Sequence, residues 1–92
     1  MLLIYSGRTY YKDFFEKNSL KYLGYRILKF YNDKGIKKME YYKDEKNDDT
    51  FYMVINLKID GVIDDWNYKI LQLNKKEFIK EYKQVKPENK IY

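Results

Sequence analysis

A chain of 92 residues fits a single domain with a thin core, and an aromatic content of 20% means that a few large side chains must fill it. The lack of cysteine excludes disulfides, thiolate metal sites and a cysteine nucleophile, and the lack of histidine removes the usual general base at neutral pH and the commonest metal ligand. A net charge of +5 favours anionic partners, while the lack of alanine argues against close-packed helices and for a sheet-based core.

The expected location is cytoplasmic. A disulfide-free domain suits a reducing compartment. No apolar run approaches the roughly 18 residues that span a bilayer, so no membrane is expected among the partners. The opening Met1–Tyr5 is too short, and lacks the basic start, for a signal peptide. Lys, Asn, Ile, Tyr and Phe together supply 50 of the 92 residues. That is the bias of A/T-rich codons and suggests an A/T-rich genome, and a small chain without alanine or cysteine is of a kind common in phages and mobile elements. The compartment would then be that of the host cell.

In chain order, Met1–Tyr5 reads as a strand, at the edge or in the centre of a sheet. Thr9 is a candidate N-cap for a helix through Tyr10, Tyr11, Phe14 and Phe15 toward Asn18, with Ser19–Leu23 as a continuation and Gly24 as its stop. Tyr25–Tyr31 reads as a strand, Asn32-Asp33-Lys34-Gly35 as a turn and Ile36–Lys43 as the return. The polar stretch 44–50 leads to the clearest element. Phe51, Met53, Ile55, Leu57 and Ile59 alternate with Tyr52, Val54, Asn56 and Lys58, the period of a half-buried strand. The expected outcome is that the first set is buried and that Tyr52 and Lys58 are not.

Asp60-Gly61 signals a hairpin to a strand over about 65–73. There Trp66, Tyr68 and Ile70 share one face, and Leu71 and Leu73 the other. Either a bulge shifts the register or both faces are covered. Asn74 and Glu77 have capping-box spacing, and Phe78, Ile79, Tyr82 and Val85 form a helical stripe that Pro87 ends. The predicted fold class is α+β in a single domain, residues 1–92. It is an antiparallel four-stranded meander of two hairpins, with an extra N-terminal strand, an N-terminal helix and a C-terminal amphipathic helix packed on the sheet.

Charge is distributed in blocks: +6 over residues 1–43, −5 over 44–65 and +4 over 66–92. Lysines interleaved with tyrosines on a sheet face make a surface on which phosphates and bases can settle. The candidates are Lys38, Tyr42, Tyr52 and Lys58, with Lys29 and Tyr31 behind them. Seventeen lysines against two arginines favour a solvated surface, because specific phosphate and base recognition leans on arginine. The two arginines, Arg8 and Arg26, join the candidate binding residues, as does Trp66, the sole tryptophan.

Nothing in the sequence assembles a metal or cofactor site. Asp44, Glu45, Asp48 and Asp49 lack the spacing and the turn glycine of a calcium loop and read as a solvated turn. Ser6-Gly7-Arg8-Thr9 could admit a phosphate, yet one glycine without a Walker or dinucleotide fingerprint reads as a plain turn.

Three functions remain open. The first is a small non-enzymatic binding protein, an inhibitor from a phage or mobile element that docks on a host nuclease or ribonucleoprotein, as anti-CRISPR proteins do. No motif marks the chain as one. The second is a nucleic-acid-binding module that uses the Lys/Tyr face. The third is a histidine-free ribonuclease toxin with Arg8, Arg26 and Tyr52 as its acting groups. The surplus of tyrosine, a residue suited to recognition surfaces, favours the first.

Overall fold

The computed structural model describes residues 1–8, 10–30, 32, 34–59 and 68–91. Its strands are β1 (Leu2–Gly7), β2 (Leu20–Phe30), β3 (Gly35–Asp44), β4 (Phe51–Ile59) and β5 (Tyr68–Leu73). They form one antiparallel sheet in the order β1-β5-β4-β3-β2. Helix α1 (Lys12–Lys17) lies on one face, and α2 (Lys75–Tyr82) with the 3-10 turn Pro87–Asn89 lies on the other. The Asp60-Gly61 hairpin, the Thr9 cap and the candidates Tyr31 and Trp66 fall outside the described residues.

Strand alternation divides the apolar residues between two cores. On the α2 face, Leu23, Met39, Tyr41, Phe51, Met53 and Leu73 pack with Phe78 and Val85. On the α1 face, Tyr52, Val54, Tyr68 and Ile70 pack with Phe14. A sheet covered on both sides explains the two-faced pattern of β5.

It also corrects the expected exposure of Tyr52, which is 7% accessible. The Phe14 ring stands edge-on to it with centroids 4.9 Å apart, so the helix that follows β1 turns a would-be surface into core. Phe51 and Met53 are buried and Lys58 is exposed as expected, but Ile55, Leu57 and Ile59 are only half-buried. They run past the end of the helical cover.

The helix expected over Ser19–Leu23 is instead the start of β2. Ser19 O accepts the Glu45 N–H at 2.9 Å, and Leu20 pairs with Asp44, so tertiary pairing overrides the local pattern. Gly24 is no helix stop. It has φ +131° within a bulge of β2, which lets the strand continue to Phe30.

Helix α2 begins with the capping box. Asn74 Oδ1 accepts the Glu77 N–H at 2.8 Å, and Glu77 Oε1 accepts the Asn74 N–H at 3.0 Å. Of its stripe, Phe78 and Val85 are buried and Tyr82 is half-buried, whereas Ile79 is exposed. The helix ends at Tyr82, ahead of Pro87, because the chain tightens there: the Gln84 and Val85 N–H groups bond to the Glu81 and Tyr82 carbonyls. Pro87 opens the 3-10 turn instead.

Candidate docking surface at the bare end of the sheet

The hairpin of β2 and β3 extends beyond both helices. Residues 20–44 carry seven basic and three acidic side chains, and the register shows where several of them point. Lys29 pairs with Ile36, and Ile36 with Lys58; Ile27 pairs with Lys38, and Lys38 with Asn56. Directly opposed residues share a face. Lys29, Lys38 and Lys58, from three adjacent strands, therefore share the α1 face with Ile27 and Ile36. Ile27 and Ile36 are 45% and 40% accessible. Lys38 Nζ lies 5.1 Å from the centroid of Tyr25, a cation–π contact that steadies the ammonium at the surface. Glu40, opposite Tyr25, is the one described acid on this stretch of the face.

The other face of the same end is apolar as well. Leu28 pairs with Lys37 and Lys37 with Leu57, and Leu28 is exposed. Phe30 pairs with Gly35 and occupies the space that a β-carbon there would need, with a ring carbon 2.4 Å from it. The missing side chain is replaced by a ring from across the strand.

Beside the outer edge of β2 lies a groove of about 700 Å³, walled by Tyr25–Lys29 and by Gln84, Lys86, Glu88 and Asn89. The C-terminal segment forms its far wall. It is tied to β2 where the Ile91 N–H donates to Leu23 O at 3.0 Å and Gly24 bridges Lys90. The tail then leaves the strand in the 3-10 turn, and among the described residues no strand pairs with the outer edge over residues 25–29. Gly24 is needed at this crossing: a β-carbon would lie 2.3 Å from Asn89 O.

The candidate residues separate cleanly. Lys29, Lys38 and Lys58 come together. Arg26 belongs to the opposite face as a clamp: its guanidinium donates to Gln84 Oε1, lies 3.7 Å from Glu81 and approaches Met39 Sδ at 3.3 Å. It holds the C-terminal segment to β2 and lies in the wall of the groove.

Tyr42 and Tyr52 sit opposite each other beneath α1. Burial, followed by the nearby Glu40, pushes the Tyr42 hydroxyl far above the usual tyrosine range, and burial followed by Asp44 raises that of Tyr52. They are core groups that keep their protons. Arg8 is exposed just after β1, and α1 starts only at Lys12, so Ser6-Gly7 ends a strand and does not lead into a helix.

The acting groups imagined for a ribonuclease do not converge. Arg26 and Tyr52 lie on opposite faces, and Arg8 follows the end of β1 that pairs with Tyr68, whereas Tyr52 aligns with Gln72. The acidic loop is a self-bonded turn. Asp44 and Asn47 accept the N–H groups of Lys46 and Asp49, and Asp49 accepts the Lys75 N–H at 3.0 Å.

Ile27, Leu28, Ile36 and Lys86 escaped sequence reasoning. The available signal was a strand end that is apolar on both faces, which marks either deep burial or a bare surface. No protein-family model, curated protein or solved structure matches this chain.

Proposed function

We propose that this chain is a non-enzymatic binding protein that docks on a macromolecular partner through the bare end of its β2–β3 hairpin. The role fits an inhibitor carried by a phage or mobile element, aimed at a host nuclease or ribonucleoprotein. The observation that supports it is the mixture at that end: exposed Ile27, Leu28 and Ile36 set among Lys29, Lys38 and Lys58, beside an unpaired strand edge and its groove. Apolar side chains give such a contact its affinity, and the lysines select an acidic surface and speed its approach.

A tagged pull-down from host lysate, with and without nuclease, tests this reading. A stoichiometric protein that survives nuclease and is lost with Ile27→Asp supports it. Capture that Ile27→Asp leaves unchanged contradicts it.

The three lysines on one face give a second reading, binding of single-stranded nucleic acid. Three phosphate contacts would give a slope of log K against log salt of about −2. Against this reading, Tyr42 and Tyr52, the rings that would stack on bases, lie under α1.

A further inference from the structure

The other edge of the sheet has a different character. Strand β1 pairs with β5 on one side only, and among the described residues no strand covers its outer side. Leu2–Gly7 contains no charged residue. Met1, Leu2, Leu3 and Ile4 are 58%, 59%, 54% and 38% accessible. Leu2 sits opposite Gln72 and Leu3 opposite Leu71, so one leucine stands on each face of the edge. The charges that flank this span are the Met1 amine, which is paired with Glu77, and the exposed Arg8. Edge strands are often blunted by lysine, proline or a β-bulge; β1 has neither lysine nor proline in its span, and its one irregularity is the register shift between Leu3 and Tyr5.

We infer that β1 pairs antiparallel with β1 of a second copy, making one continuous ten-stranded sheet about a two-fold axis. An uncharged strand is self-complementary in a way that β2, with Lys21, Arg26 and Lys29, is not. Repulsion between two chains of charge +5 is also minimised. The nearest strands of the two basic hairpins would sit seven inter-strand steps apart, roughly 34 Å at about 4.8 Å per step, several times the screening length of about 8 Å. Pairing would cover the exposed leucines on both faces of the edge. The four exposed side chains fall short of the ~800 Å² per partner of a standard interface, so the dimer is weak and forms at high micromolar concentration. It leaves the β2 end open, so it neither needs nor excludes the proposed docking function.

Sedimentation velocity over a concentration series tests it. The expected result is a mass that rises from 11.5 kDa toward twice that value. Leu3→Lys, at an exposed position and with its fold checked by circular dichroism, should weaken the association by at least about tenfold, because a lysine on an edge strand opposes pairing with a second chain. Ile36→Lys at the far end should leave it unchanged. A chain that stays monomeric throughout, or a dimer that survives Leu3→Lys, or one that dissociates with Ile36→Lys instead, overturns the inference.

Discussion

The two edges of this sheet are finished in opposite ways. At β2 the chain's own tail is laid across the strand: Gly24 admits the Asn89 carbonyl, Leu23 and Ile91 share a hydrogen bond, and Arg26 grips Gln84 and Glu81. Charges then punctuate the part of β2 left open. At β1 the edge is apolar and uncharged, with four consecutive exposed hydrophobic side chains. The difference shows how one small sheet can finish its two outer strands in different ways. On the two proposals made above, the charged edge would resist its own copy and select an unlike partner, while the neutral edge would accept its own copy.

Breaking the clamp on β2 should have the largest effect. Gly24→Val places a branched side chain at positive φ and drives it into the Asn89 carbonyl. The expected cost is on the order of 2–3 kcal/mol in urea unfolding, with faster amide exchange at Leu23 and Ile91. Arg26→Ala should cost less, about 1–2 kcal/mol, because the guanidinium's bonds to the C-terminal segment are partly solvated. A loss within about 0.5 kcal/mol would show that the tail is held without Arg26, by the bonds of Tyr82 and Ile91 to Leu23 O and by buried Val85.

Alkaline pH acts on both edges together. Tyr68, opposite the end of β1, and Tyr42, opposite Tyr22 of β2, have hydroxyls raised chiefly by burial. A tyrosine whose folded pKa lies above its unfolded value of about 10 contributes stability that is complete below that pH and is lost as pH rises beyond it. Stability should therefore fall above about pH 10. Both tyrosines should ionise in one cooperative step, read by ultraviolet absorbance. Separate steps would mean that one edge opens independently. The smallest effect is expected for Tyr41→Phe. The buried Tyr41 hydroxyl makes no well-formed hydrogen bond and has only the Arg26 guanidinium beside it, so its removal should change stability by no more than about 1 kcal/mol.

Much of this architecture was legible in the residues. The alternation of Phe51–Ile59 and the Asn74–Glu77 spacing were both local signals, and both elements formed where those signals lay. What failed was non-local. Leu20–Gly24 resembles the end of a helix until Asp44 and Tyr42 are available to pair with it. Tyr52 looks like a surface residue until Phe14, 38 positions earlier, lands on it. For the candidate site, the lysines on alternate positions were found because period-2 placement is a local property. The role of Arg26 was not, since its partners arrive from the far end of the chain. The groove beside β2 has no sequence signature, because it exists only where the tail diverges from the strand.

The most direct test of the docking surface is quantitative capture from nuclease-treated host lysate by four baits: the native chain, Ile27→Asp, Lys38→Glu and Leu3→Lys. The first two substitutions lie on the bare end of the hairpin and the third on the opposite edge. The account predicts that the native chain and Leu3→Lys retain the same protein in equal amount, while Ile27→Asp and Lys38→Glu lose it. Capture that is indifferent to Ile27→Asp and Lys38→Glu, or that disappears with Leu3→Lys, would place the contact elsewhere and contradict it.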